Sequence, residues 1–162
     1  MERYSIDTDS LLWAWQAYPR DVASFKPVWE TMERLIEEGT VMASEEVLEE
    51  LAVKEGDEVH EWARTRPGLW HTSDEHVQRA LRGILVKHRG IIDMGKNRSG
   101  GDPWVIAVAI VEGATVISEE DRNLRTPDTK PKIPDVCDRL NVRCIKFGEF
   151  VRDPAWQGAI TS

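Results

Sequence analysis

Gly100-Gly-Asp-Pro-Trp-Val-Ile-Ala-Val-Ala-Ile-Val-Glu-Gly-Ala-Thr-Val-Ile-Ser-Glu-Glu-Asp121 sets the fold class, because a helix and a strand can both be read from it. Asp102 followed by Pro103 is an N-cap with proline at the first helical position, where the missing N–H would have no intrahelical partner. Residues 104–111 are apolar on every side, so the helix they form must be covered on more than one face, and Gly113 supplies a left-handed stop. Residues 114–117 then read as a short central strand of a parallel sheet, which breaks off into Ser118, Glu119, Glu120 and Asp121. Carboxylates thus gather at the C-terminal end of one strand, the edge of an open α/β sheet at which ligands bind.

The same strand-then-helix order recurs along the chain. Tyr4-Ser-Ile-Asp7 is strand-like and breaks into Thr8-Asp9-Ser10 before an apolar helix start; residues 41–43 and 142–145 are further short strands. Residues 25–38 carry Val28, Trp29, Met32, Leu35 and Ile36 at helical spacing, and Gly39 ends that helix. A helix from Ser44 runs through Val47, Leu48, Leu51 and Val53, with Glu45 and Glu46 in its first turn, where the helix dipole favours acids. Residues 57–66 and 74–88 read as two more amphipathic helices, 69–72 as a short extended piece, and 133–140 and 147–152 as short helices. This rhythm predicts an α/β protein: a three-layer α/β/α sandwich around a mostly parallel sheet, with one domain over 1–152 and a loosely packed C-terminal tail over 153–162.

Composition narrows the function classes. The 162 residues suffice for one domain with a real core, and 41% hydrophobic with 31% charged residues is a soluble, folded profile. No apolar run approaches the roughly 20 residues of a membrane span, and Met1-Glu-Arg-Tyr4 lacks a signal peptide's apolar core, so a cytoplasmic protein with no membrane partner is expected. Cys137 and Cys144 lack metal-ligand spacing to other Cys or His and read as buried thiols in a reducing compartment. The formal charge of −8 argues against a wide, sequence-blind grip on nucleic-acid phosphates, although it counts carboxylates that a divalent cation would neutralise.

Several acids fall where the sheet edge should be. Asp7 and Glu120 or Asp121 follow strands, while Asp102 and Glu50 belong to helices that can neighbour them. The plainer alternatives are that Asp7 or Asp9 caps the next helix and that Glu50, beside Val47 and Leu51 at the margin of the core, belongs to a solvated face. Carboxylates packed together repel one another, which a hard cation relieves; oxygen-only ligands favour magnesium or manganese. Lys87, Arg89, Lys96 and Arg98 flank these acids as surface charges or phosphate contacts.

Taken together, these residues resemble the PIN-domain nucleases, which include the VapC-like ribonuclease toxins. The resemblance covers nearly the whole chain and rests on Ser5-Ile-Asp7-Thr8-Asp9-Ser10-Leu11-Leu12, Val47-Leu-Glu-Glu50-Leu51, Asp102-Pro-Trp-Val-Ile-Ala-Val-Ala109 and Val116-Ile-Ser118-Glu119-Glu120-Asp121, in that order and spacing. Lys132-Ile-Pro-Asp-Val-Cys137 looks like the tag of an uncharacterised PIN-like branch. Asp7, Glu50 and Asp102 match the family's first three acids, and Ser118 matches the hydroxyl residue before the fourth. The family's spacing puts the fourth at Glu120, and Asp121 stands one residue later; the choice stays open.

The resemblance implies a magnesium- or manganese-dependent endoribonuclease that hydrolyses RNA phosphodiesters, with Asp7, Glu50, Asp102, Glu120 and Asp121 as metal ligands and Ser118 holding water or phosphate. A toxin would add an antitoxin protein as partner, with Trp13, Trp15 and Trp156 as candidates for the contact surface; a homodimer is left open. Two other classes stand beside it: a catalytically silent PIN-like binding module, and another magnesium-dependent phosphohydrolase, since sheets with acids at their strand ends serve many chemistries.

Overall fold

Strand residues Tyr4, Ser5, Ile6, Val41, Ala43, Val116 and Ile117 are all fully buried, as in a sheet covered on both faces. The computed structural model of the chain describes residues 2–54, 57–88 and 102–161. Among these residues five strands form one sheet: β1 (Tyr4–Ile6), β2 (Val41–Ser44), β3 (Trp70–His71), β4 (Thr115–Ile117) and β5 (Cys144–Ile145). Their order is β3-β2-β1-β4-β5 and every pairing is parallel, so the expected mostly parallel sheet is parallel throughout. The extended piece expected near residue 70 is β3, a two-residue edge strand.

Helices cover both faces in a three-layer α/β/α sandwich. The two-residue alternation of β1 shows which side is which. Ser5 Oγ donates to the Val105 carbonyl at 2.9 Å, so the Ser5 face meets α6 (Asp102–Glu112), with α5 (Glu75–Lys87) and α7 (Ile133–Arg139) packed beside it. Tyr4 points the other way. Its ring lies 4.6 Å from Phe150 of α8 (Phe147–Phe150), and that layer includes α1 (Thr8–Ala17) and α2 (Lys26–Glu37). Helix α3 (Glu45–Lys54) follows β2 and packs on α1 and on α4 (Asp57–Arg64). Gly39 and Gly113 end α2 and α6 with φ of 75° and 62°, the left-handed region that only glycine enters without strain.

The C-terminal stretch departs from expectation. Residues expected as a loose tail form α9 (Pro154–Thr161), which packs on α2 and buries Trp156 against Phe147 and Phe150. An aromatic side chain of this size buries 150–250 Å², more than a loose segment would leave exposed. Trp29 and Trp62 are buried as their helical spacing suggests, whereas Trp104 is only half-buried.

A polar tie closes this face of the sheet. The Tyr4 hydroxyl donates to Asp153 Oδ2 at 2.8 Å, and the Arg143 guanidinium donates to both Asp153 oxygens at 2.9 and 3.1 Å. The Arg143 fork, with help from Tyr4, holds the Asp153 carboxyl below the usual carboxylate range. A depressed carboxyl pKa stabilises the fold above the unfolded value of about 3.9, and that contribution disappears as pH falls through the folded value. Asp153→Asn should therefore lower the melting temperature at pH 7 by the equivalent of about 1–3 kcal/mol. In thermal melts repeated towards acid, the gap between wild type and variant should stay open above about pH 4 and close below it.

Candidate functional site

The strand order places a switch point between β1 and β4. From β1 the chain winds outwards through β2 to β3, then crosses back over the sheet to β4 on the other side of β1. The connections leaving β1 and entering β4 diverge there, which opens a crevice beyond the carboxyl ends of those two strands.

Asp7 and Ser118 stand at that crevice. Tyr4, Ser5 and Ile6 pair with Thr115, Val116 and Ile117, and the ladder runs one bond further, from the Asp7 N–H to the Ile117 carbonyl at 2.9 Å. Asp7 and Ser118 are therefore the next opposed residues, and by alternation both belong to the face covered by α6. Each is 1% exposed. Ser44, the last residue of β2 and fully buried, extends the same row on the other side of Asp7. One Asp7 oxygen caps α1 by accepting from the Thr8 N–H at 2.7 Å, so the capping role considered for Asp7 is real and occupies Oδ1. The Thr8 hydroxyl is fully buried and has no hydrogen-bond partner among the described residues, a polar group that a water or ligand would satisfy.

Helix α6 brings the Asp102 backbone to this edge. Its last residue, Glu112, pairs with Arg3 at the amino end of β1, and its Val105 carbonyl meets Ser5. The helix thus runs antiparallel to the strands, and Asp102 begins it one turn beyond Val105, about 4.5 Å further towards the carboxyl edge. The Asp102 side chain lies outside the described residues, as do Arg89, Lys96 and Arg98.

Glu50 is 6% exposed, so it belongs to the core margin and not to the solvated face of α3. One turn earlier stands Glu46, in the first turn of α3. Burial and then the charges of Glu49, Glu45 and Glu50 push its carboxyl above the usual range. Carboxylates crowded in this way mark functional sites more often than chance, and the Glu46–Glu50 spacing of four was the available signal.

The acids after β4 part company. Glu119 Oε1 accepts from the Phe147 N–H at 2.8 Å and from the Ser10 hydroxyl at 3.3 Å, tying α8 to α1 on the far face. Glu120 Oε2 accepts from the Ile133 N–H at 2.9 Å, at the start of α7, on the face of α6. Its own N–H reaches Ser118 Oγ at 3.2 Å, and both residues line a cavity of about 430 Å³ with Arg122, Cys144 and Lys146. Asp121 is exposed and paired with Lys146 Nζ at 2.5 Å, which holds its carboxyl below the usual range.

A family model described as a domain of unknown function, DUF4411, matches residues 4–158. The chain belongs to the DUF4411 family. No curated protein matches it. The DUF4411 match runs from the first residue of β1 into α9, so it takes in both the carboxylate edge and the C-terminal helix. Within this DUF4411 domain no group of three or more His, Cys, Asp or Glu among the described residues, which leave out the Asp102 side chain, is arranged to hold a metal ion. No helix among the described residues is long and apolar enough to cross a membrane.

The divergent partners of the three acids give unequal expectations for stability. Glu119→Ala removes the acceptor of two hydrogen bonds that join separate helices, and chemical denaturation should show a loss of about 1–3 kcal/mol. Asp121→Asn breaks only a solvent-screened pair and should leave the denaturation midpoint unchanged within error.

Proposed function

We propose that the protein is a metal-dependent endoribonuclease that hydrolyses RNA phosphodiester bonds at the edge formed by Asp7, Glu50, Asp102, Ser118 and Glu120. One observation carries this reading: a buried carboxylate, Asp7, and a buried hydroxyl, Ser118, stand opposed at the carboxyl ends of β1 and β4, at the sheet's switch point. The PIN-domain resemblance supports it by matching those same two positions, together with Glu50 and Asp102.

The donors fit magnesium or manganese by their chemistry. They are oxygen-only, and two of the carboxylates are nine-tenths buried or more. Asp7, Glu50, Asp102 and Glu120 would hold such ions, which supply a lowered water pKa and charge stabilisation on the phosphate. The chain's own contribution is placement. Thr8 N–H fixes one Asp7 oxygen, and the β1–β4 ladder fixes the backbone of Asp7 against Ser118. Ser118 Oγ, tied to the Glu120 N–H, is set to orient water or a phosphate oxygen. The Ile133 N–H holds one Glu120 oxygen, which favours Glu120 over the outward-turned Asp121 as the fourth acid.

A second reading is favoured by one specific feature: each acid after β4 already has a structural partner. That arrangement suits a binding module without catalysis. The two are separated by incubating a labelled RNA pool with purified protein in magnesium, manganese or EDTA. The nuclease reading expects cleavage that needs metal and falls roughly 100-fold or more in Asp7→Asn and Glu50→Gln, the scale of losing one group that stabilises a transition state. Asp121→Asn should retain activity. Metal-independent background equal in wild type and both variants would sink the nuclease reading.

A further inference from the structure

The row that runs from Ser44 through Asp7 to Ser118 continues onto β5. Ile117 pairs with Ile145, and the ladder runs one bond further, from the Ser118 N–H to the Ile145 carbonyl at 3.0 Å, so Lys146 is the residue opposed to Ser118. Its backbone is still extended, with φ −86° and ψ 162°, and by alternation its side chain leaves the sheet on the side of Ser118. With strands about 4.8 Å apart, Lys146 stands one strand from Ser118 and two, roughly 10 Å, from Asp7. Lys146 and Ser118 both line the cavity of about 430 Å³ that Glu120 also lines. A row built around a carboxylate and two hydroxyls thus carries an ammonium at its β5 end.

Neighbouring charges in this cavity are more firmly engaged. The Arg122 guanidinium gives Asp138 two bonds, at 2.7 and 2.9 Å, and Glu149 accepts from the Lys146 N–H at 3.3 Å. The partner of Lys146 Nζ is Asp121, at 2.5 Å, and the two side chains are 45% and 82% exposed. A pair so open to water is weakly held, and an ammonium on a flexible four-carbon stem can swing to another anion. Asp121 thus offers the ammonium the kind of oxygen that a phosphate would offer, beside the hydroxyl proposed to orient one.

We propose that Lys146 is a substrate-positioning residue that holds an RNA phosphate beside Ser118, and that Asp121 competes with the RNA for it. The assignment rests on the ribonuclease reading for its substrate. Lys146 donates to a non-bridging phosphate oxygen, and the released Asp121 carboxylate, already mostly in water, loses little by returning to it. Two consequences of opposite sign follow. Removing the lysine weakens RNA binding, whereas removing its carboxylate partner strengthens it; a purely structural pair would give both changes the same sign.

The test reads binding and not cleavage. Asp7→Asn, which silences hydrolysis under the ribonuclease reading and leaves Lys146 in place, is the common background. A fluorescein-labelled single-stranded RNA of mixed sequence is titrated by anisotropy in magnesium over a range of salt concentrations. Lys146→Gln should weaken binding roughly tenfold, the lower end for a charged hydrogen bond. It should also make the slope of log affinity against log salt shallower by about 0.7, the share of one phosphate on a single strand. Lys146→Arg should restore both. Asp121→Asn should tighten binding roughly threefold, and most of that gain should vanish when Lys146→Gln is added. Lys26→Gln, on the exposed start of α2, should change neither affinity nor slope. Unaltered affinity and slope in Lys146→Gln, or tightening by Asp121→Asn that persists without the lysine, would overturn the inference and leave the ribonuclease reading standing. RNA bound by none of these proteins, wild type included, would overturn that reading together with it.

Discussion

Parallel pairing of β1 between β2 and β4 is the constraint from which the rest of the structure follows. A parallel neighbour cannot be reached by a hairpin, so each connection must cross a face of the sheet, and helices on both faces are the result. It also forces every strand to end at the same edge. The chain leaves β1 towards β2 and later enters β4 from the other side, so the ends of β1 and β4 lie next to each other while their connections part. Asp7 and Ser118 are drawn together by that register, although more than a hundred residues separate them in the chain.

The edge is rich in acid, and the fold separates these charges by assigning partners on different faces. Glu119 serves α1 and α8, Glu120 serves α7, and Asp121 is drawn out to Lys146. Consecutive residues leaving a strand alternate between faces, so neighbouring acids need not meet the same surroundings. On α3 Glu46 and Glu50 share one helix face, and burial, followed by the charges of Glu49, Glu45 and Glu50, pushes the Glu46 carboxyl above the usual range.

Helix α7 links this chemistry to the periphery. Asp135 accepts from the Asn123 and Lys132 N–H groups at 2.9 and 2.8 Å, binding the preceding loop to the start of the helix, while the Cys137 carbonyl accepts from the Val142 N–H at 2.8 Å near the far end. The segment Lys132-Ile-Pro-Asp-Val-Cys137, conspicuous in the sequence without an evident purpose, becomes intelligible as the element that holds Glu120 and joins it to β5.

Local physics made much of the protein legible. The apolar, proline-started α6 and its glycine stop, the amphipathic α2 and α5, and the buried strands follow from periodicity and capping, which act over a few residues. Asp7 could be proposed because it directly follows a strand, and Ser118 through the PIN-domain resemblance. Three matters lay beyond local pattern. The extended piece near residue 70 could not be placed in the sheet, because β3 has only two residues and exists through its pairing with β2. The C-terminal helix gained its place from the aromatic surface of Phe147 and Phe150, so residues 153–162 could not be read without that surface. The partners of Glu119, Glu120 and Asp121 depend on Ser10, Phe147, Ile133 and Lys146, residues distant in the chain. The sequence by itself determined the alternation of strand and helix and the types of residue at the strand ends. Tertiary structure alone decided which carboxylate faces which neighbour, because electrostatic and hydrogen-bond energies depend on separation in space and not on separation along the chain.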